Sequence, residues 1–295
     1  MTLKQLYKQS ADILANVGID SPEFDARAII ENVCGISRAE FIANGESEVA
    51  QNIADTVLQL VARRATREPL QYVIGEWEFM GLKLKVRQGV LIPRDDTEVV
   101  TNAVLQFLKN RPASEIENNP QILELCAGSG AIALAVNANF KNAKITAIEK
   151  SPQAFAFLEE NTAAHNANIT LVQADIFTCH SNFADASFDV VVSNPPYIKD
   201  EELPLLQPEV QKEPQIALNG GVDGYDFYRC IADFWCSKLK NGGLLALELG
   251  EGQFEYTSEL LQNIGTATSK LTQITAHYDL QGTKRALTAV LQKHC

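Results

Sequence analysis

The sequence predicts an α/β protein: a mostly parallel sheet covered by helices on both faces, with a small N-terminal helical domain joined to it by a β-hairpin. Three observations predict it. From about Ile92 onward, short apolar strands alternate with helical segments, as parallel strands require. Over residues 1–70, apolar residues recur at three- and four-residue steps, the helical period. In between, Tyr72-Val73-Ile74-Gly75-Glu76-Trp77-Glu78-Phe79 and Leu82-Lys83-Leu84-Lys85-Val86 flank Met80-Gly81, and alternation on both sides of a Gly-containing turn reads as a hairpin.

Composition narrows the class. A chain of 295 residues allows one large domain or two modest ones. With 46% hydrophobic and 21% charged residues, 17 Gly and 11 Pro, it is neither collagenous nor low-complexity nor wholly disordered. No stretch approaches the ~18 apolar residues of a membrane span. The opening MTLKQLYKQSADIL has no long apolar region and no small-residue cleavage site, so no secretory signal is expected. Cys34, Cys126, Cys179, Cys230, Cys236 and Cys295 form no C-x-x-C pair and no Cys/His cluster, so neither a disulfide framework nor a structural zinc site is expected. Reduced thiols in the cytoplasm are the simplest reading. The net charge of −12, from 25 basic and 37 acidic residues, argues against a protein that coats a phosphate backbone but leaves room for a local basic groove.

The elements follow in order. Leu3, Leu6, Tyr7, Ile13, Leu14 and Val17 mark a first helix that Gly18 stops. Ser21 suits an N-cap and Pro22 the first position of a second helix. Ile53, Val57, Leu58 and Val61 form a third stripe, and its basic end, Arg63-Arg64, suits a helix C-terminus. Residues 71–90 are taken as the connector and 91–295 as the second domain. There Asp95-Asp96-Thr97-Glu98 reads as a helix N-cap with acids facing the dipole. Strands are expected at Gln121–Leu125, Lys144–Glu149, Ile169–Val172, Phe188–Ser193 and Leu244–Leu249, with helices after Gly130 and from Ser151-Pro152.

Two places carry chemistry. The first strand of the second domain runs into Cys126-Ala127-Gly128-Ser129-Gly130 before a helix. Glycine lets the backbone approach a ligand, and the helix start offers free N–H groups. Glu149 closes the next strand, where a carboxylate can accept from a ribose diol. At the end of the third strand, Asp175 could accept from an adenine amino group and Ile176 could cover a ring face. Such a turn fits a nicotinamide cofactor or S-adenosylmethionine, and it can also merely pack a helix on a strand.

The second place is Ser193-Asn194-Pro195-Pro196-Tyr197, directly after a strand. In an open α/β sheet that position lies in the ligand crevice. The prolines fix the backbone and remove donors. What remains is the Asn194 side-chain oxygen and the Pro195 carbonyl, two acceptors suited to a planar –NH2 group. Hydrogen bonds to both protons turn the nitrogen lone pair toward an electrophile. Tyr197 offers a flat face for stacking. A plain strand-terminating turn is the alternative.

Together, Glu124-Leu125-Cys126-Ala127-Gly128-Ser129-Gly130, Glu149, Asp175 and Asn194-Pro195-Pro196-Tyr197 resemble the class I S-adenosylmethionine-dependent methyltransferases that act on planar nitrogens. Leu91-Ile92-Pro93-Arg94-Asp95-Asp96-Thr97-Glu98 narrows this, being similar to the I-P-R-x-[DE]-T-E segment of the HemK/PrmC family, the peptide chain release factor glutamine methyltransferases. Glu213 to Gly224, Tyr228-Arg229, Glu248-Leu249-Gly250 and Gly282-x-x-Arg285 fit as well. The resemblance spans roughly residues 70 to 292, a far more specific signal than any one motif.

The resemblance implies methyl transfer from S-adenosyl-L-methionine to the side-chain N5 of the glutamine in the Gly-Gly-Gln motif of class I release factors. It implies that Cys126 to Gly130 hold the methionine and ribose portions, Glu149 the ribose, and Asp175 with Ile176 the adenine. Asn194, Pro195, Pro196 and Tyr197 would hold the glutamine amide, and the helical domain would help dock the release factor. Arg94 and Thr97 are expected along the cofactor cleft. Four positions depart from the family: Cys126 and Ala127 stand for Gly and Thr, Glu149 for the commoner Asp, and Ile176 for an aromatic residue found in some members.

Methyl transfer from a sulfonium needs position and desolvation above all. No catalytic base is expected, so His165, His180, His277 and His294 are read as bland and Cys126 as a packing residue. The Glu201-Glu202 acids and the stretch Gln207 to Gln215 read as a mobile flap that orders on substrate. A monomer is expected, without metal, membrane contact or direct nucleic-acid binding. The main rival is a methyltransferase of exocyclic base amines, which would use the same corner on a flipped base. A nicotinamide oxidoreductase leaves Asn194 to Tyr197 without a role, and a non-catalytic release-factor binder leaves the cofactor cleft without one.

Overall fold

The computed structural model describes residues 1–111, 119–266 and 269–293; His294 and Cys295 lie outside them. The chain divides into two compact units.

The first unit holds Met1–Trp77, Val86–Gln88 and Gln207–Lys212. Its helices are α1 (Leu3–Asn16), α2 (Pro22–Cys34), α3 (Arg38–Ala43), α4 (Gln51–Ala65) and α5 (Leu70–Ile74). Their apolar stripes meet in one core around Leu6, Leu14, Ile29, Ile30, Val57 and Val61, all fully buried. Thr2 with Gln5 and Ser37 with Glu40 form capping boxes that start α1 and α3. Ser21 precedes α2 but makes no side-chain cap bond, so Pro22 alone marks that start. The run Tyr72-Val73-Ile74, expected as strand, is helical instead. Tyr72 and Val73 are buried, and Gly75 ends the turn at φ +87; burial overrides the strand preference of these residues.

The hairpin proper is β1 (Glu76–Phe79) paired with β2 (Leu82–Lys85). Met80 and Gly81 both have positive φ, +49 and +78, the backbone of a tight hairpin turn. Phe79 and Leu84 enter the core of the second unit.

The second unit holds Glu78–Lys85, Gly89–Leu206 and Glu213–Cys295. It contains α6 (Thr97–Lys109), β3 (Gln121–Leu125), α7 (Ala131–Asn139), β4 (Lys144–Glu149), α8 (Pro152–Ala164), β5 (Ile169–Gln173), β6 (Phe188–Ser193), α9 (Asp226–Cys230), β7 (Leu239–Glu248), α10 (Phe254–Gln262), β8 (Gly265–Thr266), β9 (Ser269–Tyr278) and β10 (Lys284–Lys293). The strands form one sheet in the order β5-β4-β3-β6-β7-β10-β9-β8. From β5 to β7 the pairs are parallel; β10 and β9 add an antiparallel edge. Alternate residues go to opposite faces. Ile122, Val190, Val192 and Leu244 pack with α6 to α8, while Leu123, Leu125, Val191 and Leu245 pack with Tyr228, Ile231, Trp235 and Leu261. A sheet covered on both faces is what apolar strands of this kind require.

Candidate active site

The strand order reverses beside β3: the chain leaves it toward β4 and β5, then returns to place β6 on its other side. Ligands of open α/β sheets bind at such a switch point, beyond the carboxyl ends of the strands. Leu125 is in register with Ile148 on one side and Ser193 on the other, and Glu149 with Gln173. The Gly-rich turn, Glu149 and Asn194 are therefore delivered to one edge.

A cavity opens there. It is lined by Cys126, Ala127, Gly128, Ser129, Glu149, Asp175, Ile176, Asn194, Pro196 and Thr97, with Glu124 and Phe227 among others. Gly130, Pro195, Tyr197 and Arg94, also expected at the site, do not line it. Gly130 supports the turn from behind: at φ +83, a Cβ there would stand 2.6 Å from Leu158 Cδ1. Gly128 has φ +56 and open space where a Cβ would point. Cys126 takes φ +58, a backbone glycine adopts at no steric cost, which accounts for the glycine usual in the resembling family. Asn161, fully buried, ties the turn down by donating to Ser129 O at 3.0 Å and accepting from Lys85 N at 2.7 Å.

The carboxylates divide by environment. Glu149 accepts from Gly128 N at 2.8 Å and Ser151 N at 2.7 Å. Burial raises its pKa, against these amides. Asp175 is only partly shielded; Lys150 at 2.8 Å and the Phe177 N–H outweigh burial and hold it below its usual range. Glu124, which the sequence names only as the start of the resembling motif and gives no role, is 2% exposed on the cavity wall. Burial pushes it up to about 8, opposed by the Ala133 N–H at 2.9 Å and aided by Glu149. A carboxylate inside the apolar β3 was the available signal. The folded pKa lies above the ordinary 4.5, so this group's contribution to stability is full below that value and is lost as pH rises through about 8. Glu124→Gln is expected to flatten the fall in melting temperature over that window, read by calorimetry of the ligand-free protein.

At the second place, Pro195 and Pro196 are buried and Asn194 is half-buried. Asn194 Nδ2 donates to Thr97 Oγ1 at 3.1 Å, which turns the side-chain oxygen the other way. Among the described residues no hydrogen bond reaches that oxygen or the Pro195 carbonyl. Tyr197 Oη lies 3.5 Å from Glu248 Oε1. The Asn219-to-Gly224 segment locks the corner from below. Ile198 N donates to Leu218 O and Gly220 N to Ile198 O. Gln253 Nε2 donates to Tyr197 O and Gly224 O. A Cβ on Gly220 would stand 2.7 Å from Tyr197 Cα. Gly220→Ala must therefore displace backbone on one side of the corner; an activity loss of roughly 100-fold is expected, with cofactor affinity, read by calorimetry, unchanged.

Three other expectations change. Arg94 pairs with Glu213, whose other oxygen accepts from Ile92 N at 3.0 Å. Asp96 precedes α6 without a side-chain cap bond and pairs with Arg285 at 3.2 Å; the opposite charge takes the carboxylate. The Gln207–Gln215 stretch is not a free flap. Glu209 accepts from Arg64 at 2.9 Å and Arg67 at 3.1 Å within the first unit, and Glu213 is 4% exposed in the second. His165 meets Lys83 O, His277 meets Thr288, and His180 stacks on Phe234; none lines the cavity. The described cysteines are free thiols.

The order β5-β4-β3-β6-β7-β10-β9, with β10 antiparallel to both its neighbours and the cleft at the switch point, is the fold of a class I methyltransferase. Comparison with known proteins carries this further. Residues 82–213 match the methyltransferase small domain and residues 5–75 the PrmC N-terminal domain. The chain is 36% identical over 265 residues to the release factor glutamine methyltransferase of Geobacter sulfurreducens, covering 90% of this chain and 89% of that one. It is 38% identical over 274 residues to that of Thermodesulfovibrio yellowstonii, covering 92% and 93%. The chain belongs to the release factor glutamine methyltransferase family. A solved structure, the hMettl16 catalytic domain in complex with MAT2A 3'UTR hairpin 6, shares the fold with TM-score 0.53 at 15% identity, covering 81% of each chain.

Proposed function

We propose that this chain methylates the side-chain N5 of the glutamine in the Gly-Gly-Gln motif of class I peptide chain release factors, with S-adenosyl-L-methionine as donor. The observation that carries this reading is the pair of acceptors without donors, Asn194 Oδ1 and Pro195 O, beside a cavity that opens over Gly128. The residues fit the cofactor. Gly128 leaves the space a Cβ would fill. Glu149 has its carboxylate held by two backbone amides at the cavity wall, placed to accept from a ribose diol. Ile176 supplies an apolar surface for adenine, and Asp175, at the same end, an acceptor for its amino group.

When bound, the sulfonium supplies a methyl carbon that is already activated. The protein's part is placement. Asn194 and Pro195 accept both protons of the glutamine –NH2, which fixes the plane of the amide and frees its lone pair as conjugation is lost. Pro195 and Pro196 hold those acceptors rigid. Tyr197 borders the amide, its hydroxyl kept protonated by burial and by Glu248 nearby. Thr97 acts from the wall through Asn194, while Arg94, off the wall, pairs with Glu213. The helical unit would dock the release factor in the cytoplasm, and the enzyme works as a monomer. No helix among the described residues is long and apolar enough to cross a membrane.

The same corner would suit an exocyclic base amine; the net charge of −12 opposes a phosphate-backbone partner. The test is incubation with methyl-labelled S-adenosylmethionine and, separately, a class I release factor, its Gln→Ala variant, DNA and RNA. Label is expected in the intact release factor alone. Label in nucleic acid, or in none of the four, would falsify the reading.

A further inference from the structure

Glu248 ends β7 behind the Asn194 corner, 1% exposed, and its Oε2 is buried without a hydrogen-bond partner. Thr97 acts on this carboxylate as a hydroxyl donor does, lowering its pKa against burial. Thr97 Oγ1 also accepts from Asn194 Nδ2 at 3.1 Å, and Tyr197 Oη stands 3.5 Å from Glu248 Oε1. A carboxylate only accepts. A Thr97 hydroxyl turned toward this carboxylate would give it the proton and leave its own lone pairs to Asn194. That order sets which end of the Asn194 amide faces Thr97, and so which end faces the substrate.

We propose that Glu248 is a positioning residue: its ionised carboxylate polarises Thr97, and through Thr97 holds the Asn194 amide with Oδ1 toward the glutamine –NH2. The proposal rests on the methyl-transfer reading of the same corner. Protonation reverses the order. A neutral Glu248 can donate to Thr97, Thr97 can then donate to Asn194, and the amide presents –NH2 to a substrate that needs an acceptor.

The balance is close to even at neutral pH, because burial pushes Glu248 up to about 7. The groups facing it pull both ways. Asp96 raises it, while Arg285 and Arg94 lower it. Both arginines already have carboxylate partners, Arg285 in Asp96 and Asp279, Arg94 in Glu213. Tyr228 Oη donates to the Glu248 backbone oxygen, not to its carboxylate.

The test pairs kinetics with a signal independent of activity. In the wild type, kcat for release-factor methylation is expected to rise through a limb near neutrality and fall on acidification. Glu248→Gln and Thr97→Val are expected to lower kcat by roughly 100-fold with cofactor affinity unchanged, and to abolish that limb. Thr97→Ser should restore both rate and limb, and the double variant should lose no more than either single one. The Asn194 side-chain amide resonances are expected to titrate near neutrality in the wild type and to stand still in Glu248→Gln. An acid limb that survives in Glu248→Gln, or Asn194 resonances that do not move with pH in the wild type, overturns the proposal. A wild type that labels no release factor refutes the substrate reading instead, and the resonances still decide the role of Glu248.

Discussion

Replacing Asn194 by Ala is expected to remove most methyl transfer while leaving cofactor affinity intact. The side chain lies at the edge of the cavity and makes its one hydrogen bond to Thr97, so the cofactor wall at Gly128, Glu149 and Asp175 is untouched. On the proposed reading, what disappears is an acceptor aimed at a nitrogen whose partial positive charge grows as its lone pair attacks carbon. One such fixed dipole is worth on the order of 100- to 1,000-fold in kcat, about 2.7–4 kcal/mol. Pro195 O remains but meets only one of the two amide protons, so the plane is no longer fixed. Single-turnover transfer of labelled methyl reads the rate, and calorimetry with S-adenosylmethionine reads the affinity. A variant that keeps wild-type turnover would remove the Asn194 oxygen from the account.

The largest stability effect is expected at Arg64 in the helical unit. Arg64 is 7% exposed and pairs with Asp25 at 2.7 Å and Glu209 at 2.9 Å. Even with Arg64 present, burial outweighs it and keeps the Asp25 pKa above its ordinary value. Arg64→Ala leaves Asp25 buried without a counter-charge, which costs on the order of 3–5 kcal/mol. The sign with pH follows from that cause. A carboxyl whose folded pKa is raised costs least when protonated, so the penalty is expected to be smallest at acid pH and to grow above the ordinary carboxylate range. Urea melts at two pH values check it. Replacing the pair together, Arg64→Met with Asp25→Leu, is expected to recover much of the loss, because the desolvation penalty goes with the charges.

The parts that could be read from the chain are those whose chemistry is local. Gly128 and Gly130 announce a close backbone approach, and Pro195-Pro196 announce a rigid corner, because each residue dictates its own backbone. Strands such as Phe188–Ser193 carry their type in an unbroken apolar run. What could not be read are partners distant in sequence. Thr97 orients Asn194 from 97 residues away, and Glu209 reaches Arg64 across 145; neither spacing has a period. Glu213 to Gly224 carry only a resemblance in the sequence, and contact with the Tyr197 backbone shows why a side chain is excluded at Gly220. The run Tyr72-Val73-Ile74 reads as strand because Val73 and Ile74 favour strands, whereas burial of Tyr72 and Val73 and the left-handed Gly75 make it helical.

The most direct test of the acceptor pair is where the methyl group lands. A class I release factor is treated with this enzyme and S-adenosylmethionine, digested, and sequenced by tandem mass spectrometry. The expected product carries a single added methyl on the side-chain nitrogen of the Gly-Gly-Gln glutamine, absent when Asn194 is Ala. A methyl on any other side chain, or an unchanged yield from the Asn194 variant, contradicts it.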